Sequence, residues 1–199
     1  IITMDTQILE KIKKLREETG APIGKCKEAL EKENWDLEKA KIYLRKIGEN
    51  LLEKKKDKEI RNGIIEGYIH FNGRVGSLVE LLSETDFVSK NPDFKKLAHE
   101  LAMQVAFMNP LYLDIDSVPE NVIEEKKNEF QADISDKPEK IQAQIIEGRL
   151  KKWAEENCLL DQFYFKDENL KIRDLVNEYA NKFGEKIEIK RFVRLSRDE

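Results

Sequence analysis

The segment GIIEGYIHFNGRVGSLVELLSE, residues 63–84, restricts the fold more than any other stretch of the chain. Ile64 to Phe71 and Val75 to Leu82 are strand-like runs joined at Asn72-Gly73, a dipeptide that accepts the positive φ angles of a type I′ hairpin turn. Apolar residues stand on both parities of the first run: Ile65, Ile69 and Phe71 on one, Ile64 and Tyr68 on the other. A hairpin of that kind needs cover on both faces. The chain's own helices can cover one face, and a second subunit is a candidate for the other. Near the far end, KIEIKRFVRL alternates strictly, with Ile187, Ile189, Val193 and Leu195 on one parity. It reads as a third strand that joins the hairpin.

The stretch between the second and third strands has helical periodicity. Phe94, Leu97, Leu101 and Val105 share one helix face, which ends before Pro110. A second helix follows Pro119 with Val122, Ile123 and Phe130, and a third follows Pro138 with Ile141, Ile145, Ile146, Leu150 and Trp153. Ile172, Leu175, Val176, Tyr179, Ala180 and Phe183 mark a fourth, stopped at Gly184. CLLDQFYF, residues 158–165, is expected to pack as an irregular segment. The expected fold class is α+β, with a three-stranded antiparallel sheet packed by helices.

Upstream, three short amphipathic helices are expected within the first 48 residues. Ile8, Ile12 and Leu15 repeat at helical spacing after Thr6, a candidate N-cap. Gly20 closes that helix and Pro22 suits the start of the next, whose stripe is Cys26, Ala29 and Leu30. Asp36 can cap a third helix carrying Leu37, Ala40, Tyr43, Leu44 and Ile47, with Gly48 just beyond it. ENLLEKKKDKEIRN is rich in charge and poor in large apolar residues, which suits a solvated linker. The expected organisation is a helical module over 1–48, a charged linker helix over 49–62 and an α+β core and dimerisation domain over 63–199.

Composition removes several function classes. Among 199 residues, 36 Lys and Arg stand against 40 Asp and Glu, a net charge of −4. A binder of nucleic-acid phosphates normally needs a basic excess, so no direct nucleic-acid contact is expected. Two histidines, His70 and His99, and two isolated cysteines, Cys26 and Cys158, provide little material for a metal centre or a catalytic triad. Both cysteines lie on apolar faces and read as buried reduced thiols. GRVGS has neither the spacing nor the following helix of a phosphate cradle, so no cofactor is expected. Carboxylates are abundant but scattered, and no catalytic residue is assigned. No run approaches the ~18–20 apolar residues that span a bilayer, and no signal-peptide pattern opens the chain. A cytoplasmic protein is expected.

SETDFVSKNPDF, residues 83–94, places the acid Asp86 beside the ring of Phe87 at a strand-to-helix corner. Two arrangements are open. In one, Thr85 or Asp86 caps a short turn while Phe87 tucks inward as a staple, the commoner outcome for such corners. In the other the corner is a rigid finger with an exposed ring, a good interface anchor because little side-chain entropy is lost on docking. TGAPIGKCKEAL raises a similar choice. Ile23 sits off the Cys26–Leu30 stripe with Arg16 and Lys27 nearby, either as a harmless exposed residue or as a small apolar contact with a basic rim.

Together these corners carry a resemblance. LREETGAPIGKCKEALEKENWDLEKAKIYLRKIG resembles the N-terminal ubiquitin-associated-like module of the bacterial elongation factor Ts family. GRVGSLVELLSETDFVSKNPDF resembles that family's core, including Thr-Asp-Phe-Val at Thr85 to Val88, and the similarity runs on through LAMQVAFMNPLYL, EGRLKKW and IKRFVRL. The resemblance implies a guanine-nucleotide exchange factor for elongation factor Tu, the GTPase that delivers aminoacyl-tRNA to the ribosome. It implies binding to the GDP-loaded and nucleotide-free forms, with Phe87 as a wedge near the magnesium site and Asp86 as its polar neighbour, flanked by Thr85 and Val88. By position it assigns further contacts to Arg16, Ile23 and Lys27; Pro-Ile-Gly-Lys occupies residues 22–25, where some relatives carry a Met pair. The chain is too short for the second core subdomain and coiled-coil hairpin of longer relatives. It resembles the compact variety, in which two copies pair their sheets, and a non-covalent homodimer is expected. The alternative from another class is a helical adaptor that binds a partner without exchanging nucleotide.

Overall fold

The computed structural model describes residues 4–54, 59–134 and 138–197. The chain begins with three helices, α1 (Met4–Thr19), α2 (Ile23–Lys32) and α3 (Leu37–Lys54). Ile12, Leu15, Cys26, Ala29, Leu30, Ala40 and Leu44 form their buried core, with Ile8, Trp35, Leu37 and Tyr43 packed at its margin. The apolar spacing therefore selected the right faces. The expected ends fared less well. Thr6 lies inside the first turn of α1 and is not its cap. Asp36 does cap α3, accepting the Lys39 backbone N–H at 3.1 Å. However, α3 continues past Gly48 to Lys54. One glycine costs a helix about 1 kcal/mol relative to alanine, too little to stop a segment rich in Leu, Glu and Lys.

Next come β1 (Asn62–Ile69), β2 (Val75–Ser83), the single turn α4 (Asp86–Ser89) and the long α5 (Pro92–Met108). After a 3-10 turn at Ile115–Ser117 follow α6 (Glu120–Ala132) and α7 (Glu139–Asn157). Two short strands, β3 (Phe163–Tyr164) and β4 (Asp167–Lys171), precede α8 (Ile172–Phe183) and β5 (Ile187–Ser196). The main sheet has the antiparallel order β1-β2-β5, which gives the α+β class. The expected irregular passage at 158–165 instead supplies β3, which pairs with β4 in a small separate hairpin.

The hairpin turn differs from the expected type. The Gly73 N–H donates to the His70 carbonyl at 2.8 Å, and His70 N–H donates to Val75. Gly73 has φ +67, while Asn72 is not among the residues of positive φ. The centre is therefore Phe71-Asn72, followed by a left-handed glycine, and four residues, 71–74, lie between the bonded pair His70 and Val75 where a type I′ hairpin would have two. Asn72 keeps an unstrained backbone and its side chain accepts the Arg74 N–H at 3.0 Å. Phe71 consequently stands at the tip, 92% exposed.

The contacts divide the chain into two compact units. The first comprises residues up to Glu66, Val79–His99 and Asp174–Lys190; the second comprises Gly67–Leu78, Glu100–Arg173 and from Arg191 onward. Each main-sheet strand contributes to both. In the first unit, Val79, Leu81, Phe94, Leu97, Val176 and Ile189 are buried. In the second, the buried amides of Gln104 and Gln162 bond to each other at 3.1 Å. Gln104 also meets the Phe163 carbonyl and the Phe165 N–H, and Gln162 donates to the Met108 and Glu156 carbonyls. Interior amides of this kind are tolerated because their polar atoms find partners. Trp153 packs against Tyr112 with ring centroids 6.0 Å apart.

Strand β5 changes phase midway. Ile187 and Ile189 are buried, Lys190 and Arg191 are both exposed, and beyond them Val193 and Leu195 face outward. The single parity read from sequence is thus split between interior and surface.

Candidate functional site

The corner at 83–94 is assembled from short-range hydrogen bonds. Thr85 caps α4 from an extended backbone, φ −124 and ψ 159, and its hydroxyl accepts the Val88 N–H. The Ser83 hydroxyl donates to the Thr85 carbonyl at 2.9 Å, and Ser89 donates to the Asp86 carbonyl at 3.0 Å. Asn91 receives the Asp93 N–H at 2.8 Å and so leads into α5. Val88 and Ser89 are buried, which anchors the turn from inside. Few backbone polar groups here are left to drift.

On this frame, Phe87 is 84% exposed. The two arrangements open at the sequence level each hold in part: Thr85 caps the turn, yet the ring points outward. Asp86 is exposed beside it and accepts a hydrogen bond from Lys90 Nζ at 2.6 Å. That bond and the charge of Lys90 hold the Asp86 carboxyl below its ordinary range. Of the four residues Thr85 to Val88, then, two face solvent and two hold the corner in place. Lys182 pairs with Asp93 at 2.7 Å in the first turn of α5.

The second candidate surface lies at the α1–α2 junction. Gly20, at φ +67, closes α1 by donating to the Arg16 carbonyl at 2.8 Å. Ile23 opens α2 and is 54% exposed, although the rest of that helix buries Cys26, Ala29 and Leu30. Arg16 is exposed on α1, and Lys27 is exposed with Glu31 at 3.7 Å. Ile23 is thus an apolar side chain open to solvent, with Lys27 one helical turn further along α2.

A third surface was only partly visible in the sequence. In the second unit, Ile69, Leu78, Val193 and Leu195 line a shallow groove of about 540 Å³ with Gly76 and Arg74. Leu195 is 72% exposed and Ile69 76% exposed. The doubly apolar pattern of the hairpin had signalled such a face. The contribution of β5 had not been legible, because its phase change leaves no trace in the alternation.

The sequence reading missed one acid at the corner entirely. Glu185 accepts both the backbone N–H and the hydroxyl of Thr85. No local pattern marks this contact, which spans a hundred residues.

Among the described residues no group of His, Cys, Asp and Glu is arranged to hold a metal ion. Both thiols are free and buried. Burial raises that of Cys26 above its ordinary value and pushes that of Cys158 up to about 11. No described helix is long and apolar enough to cross a membrane.

Comparison with known proteins bears directly on these surfaces. The family model described as Elongation factor TS matches residues 3–199. Elongation factor Ts of Thermotoga maritima is 50% identical over 186 residues, covering 94% of each chain. The Moorella thermoacetica protein of that name is 47% identical over 185 residues, covering 92% of this chain and 91% of its own. That of Rubrobacter xylanophilus is 46% identical over 193 residues, covering 96% and 98%. A match of this extent, through both the helical bundle and the sheet, places the chain among translation elongation factors, and it belongs to the elongation factor Ts family.

Proposed function

We propose that the chain is the guanine-nucleotide exchange factor for elongation factor Tu and acts in the cytoplasm by protein–protein binding. The observation that carries this reading is the 84% exposure of Phe87 on a corner whose cap, carbonyls and following helix are all tied down. An aromatic ring held in that way offers a docking surface with little conformational freedom left to lose. The Ile23 surface, with Arg16 and Lys27, supplies a second contact by which the N-terminal bundle grips the same GTPase.

Exchange of this kind requires no chemistry on the factor. A GTPase holds GDP through phosphate contacts and Mg²⁺. A partner that binds the empty, distorted state more tightly than the loaded one must lower nucleotide affinity, because the coupling is reciprocal. A coupling of about 3 kcal/mol, expressed mainly in the off-rate, corresponds to roughly 150-fold faster release. Phe87 is the ring that wedges and Asp86 the exposed acid beside it, with Thr85 and Val88 holding the corner.

The test is release of a fluorescent GDP analogue from the cognate elongation factor Tu, with and without this protein. Acceleration on the order of 100-fold is expected, most of it absent in Phe87→Ala. A complex that forms with no change in GDP release would instead support the adaptor reading.

We further propose that two copies associate non-covalently through the exposed sheet face of Ile69, Leu78, Val193 and Leu195. Apolar side chains this exposed and this close together are typical of protein interfaces. Sedimentation at tens of micromolar should find a dimer; a monomer alone would remove the proposal.

A further inference from the structure

Glu185 sits in the turn between α8 and β5, directly after Gly184, whose φ of +69 reverses the chain there. Its two carboxylate oxygens take separate hydrogens from one residue of the distant corner. Oε2 accepts the Thr85 backbone N–H at 3.0 Å, and Oε1 accepts the Thr85 hydroxyl at 2.6 Å. The hold is returned one residue along, where Lys186 N–H donates to Glu84 Oε1 at 2.6 Å. Adjacent residues on each segment thus hold the other's backbone through an acid side chain. Asn62 adds a third tie, donating to the Glu84 carbonyl at 2.9 Å.

The consequence runs through the cap. A Thr85 hydroxyl that gives its proton to Glu185 keeps its lone pairs directed at Val88 N–H, the bond that starts α4. Glu185 therefore selects the hydroxyl orientation on which the turn depends. Charge-assisted bonds to a carboxylate are stronger and shorter than neutral ones. The neighbouring Asp86–Lys90 pair, by contrast, is exposed on both sides, where ion pairs contribute little. The rigidity of the ring's platform comes from the α8–β5 turn more than from the corner's own charges.

We propose that Glu185 is a positioning residue for nucleotide exchange, acting through Thr85 to keep Phe87 in its docking orientation. The inference rests on the reading of Phe87 as the wedge. Without the carboxylate the corner samples several orientations while the Ile23 surface still brings the two proteins together, so the loss falls on nucleotide release within the complex.

The experiment is a pair of substitutions crossed with each other, followed by fluorescent GDP release from elongation factor Tu over a range of factor concentrations. Glu185→Ala should lower the maximal release rate about tenfold while shifting the half-saturating concentration less than about twofold. Glu185→Gln, which keeps one acceptor oxygen and turns the other position into a donor, should give a rate between those of Glu185→Ala and the wild type. In a Phe87→Ala background, Glu185→Ala should change the rate by less than about twofold, because the ring through which it acts is gone. A wild-type rate for Glu185→Ala overturns the inference, as does an equal loss in both backgrounds, which would mark a merely structural role. Phe87→Ala at the wild-type rate would sink the reading of Phe87 as the wedge, and this inference with it, while leaving exchange itself in place. Should Glu185→Ala not fold, Glu185→Asp takes its place, with an expected loss of about threefold confined to the Phe87 background.

Discussion

The Phe87 corner and the outer sheet face both present large apolar side chains to solvent, but by opposite means. At the corner a single ring stands on a turn fixed by Thr85, Ser83, Ser89, Asn91 and the carboxylate of Glu185. On the sheet, exposure is spread over Ile69, Leu78, Val193 and Leu195, and none of these is held by a local polar clamp. The strands themselves keep that face in shape. One isolated anchor on a stiff mount suits a partner that must arrive and leave, since its contribution is concentrated in one pocket. A broad apolar face suits a lasting contact, whose stability grows with the area removed from water. The two surfaces are therefore expected to fail independently.

That independence can be broken in stages. Phe87→Ala should produce the largest effect, a loss of about 30- to 100-fold in accelerated GDP release, with no change in sedimentation. Because the ring is almost wholly exposed, its thermal unfolding midpoint should also stay put. Leu195→Asp should do the converse, weakening self-association about tenfold while leaving exchange per chain within about twofold. If each variant damaged both readouts, the two surfaces would be one interface and the contrast would be false. The smallest effect is expected from Lys90→Ala. Lys90 holds the Asp86 carboxyl low, so its removal should raise the carboxyl's titration midpoint, as followed by NMR. The sign follows from linkage: a depressed folded value adds stability above the unfolded one and loses it as pH falls through the folded value. Wild type and variant should thus converge in acid, and differ only slightly at neutral pH because the pair is exposed.

Much of this architecture was legible in residues 63–84, from short apolar runs bounded by a turn signal, and in 187–195, from apolar alternation. The bundle core was legible for the same reason at helical spacing. The corner was half legible. Thr85 has the side chain of a cap and its position predicted one, but nothing local determines whether the neighbouring ring turns in or out. That outcome depends on Val88 and Ser89 filling the interior and on Glu185 holding the cap, neither of which is a matter of spacing. Ends of elements were the weakest part. Gly48 looked like a stop, but a segment with good helix formers on both sides carries the helix through it. Residues 158–165 looked shapeless because strands as short as β3 contain too few positions to establish a period.

Strand β5 turns one parity of side chains inward at Ile187 and Ile189, then the same parity outward at Val193 and Leu195. A ribbon that turns over halfway along its length cannot slide by one step without harm. A slip of one residue would bring Glu188 together with Lys186 or Lys190 to the buried positions of Ile187 and Ile189, and would take Val193 and Leu195 off the exposed face. The register of β5 is thus set chiefly by its buried half, where a charged side chain would be cut off from water.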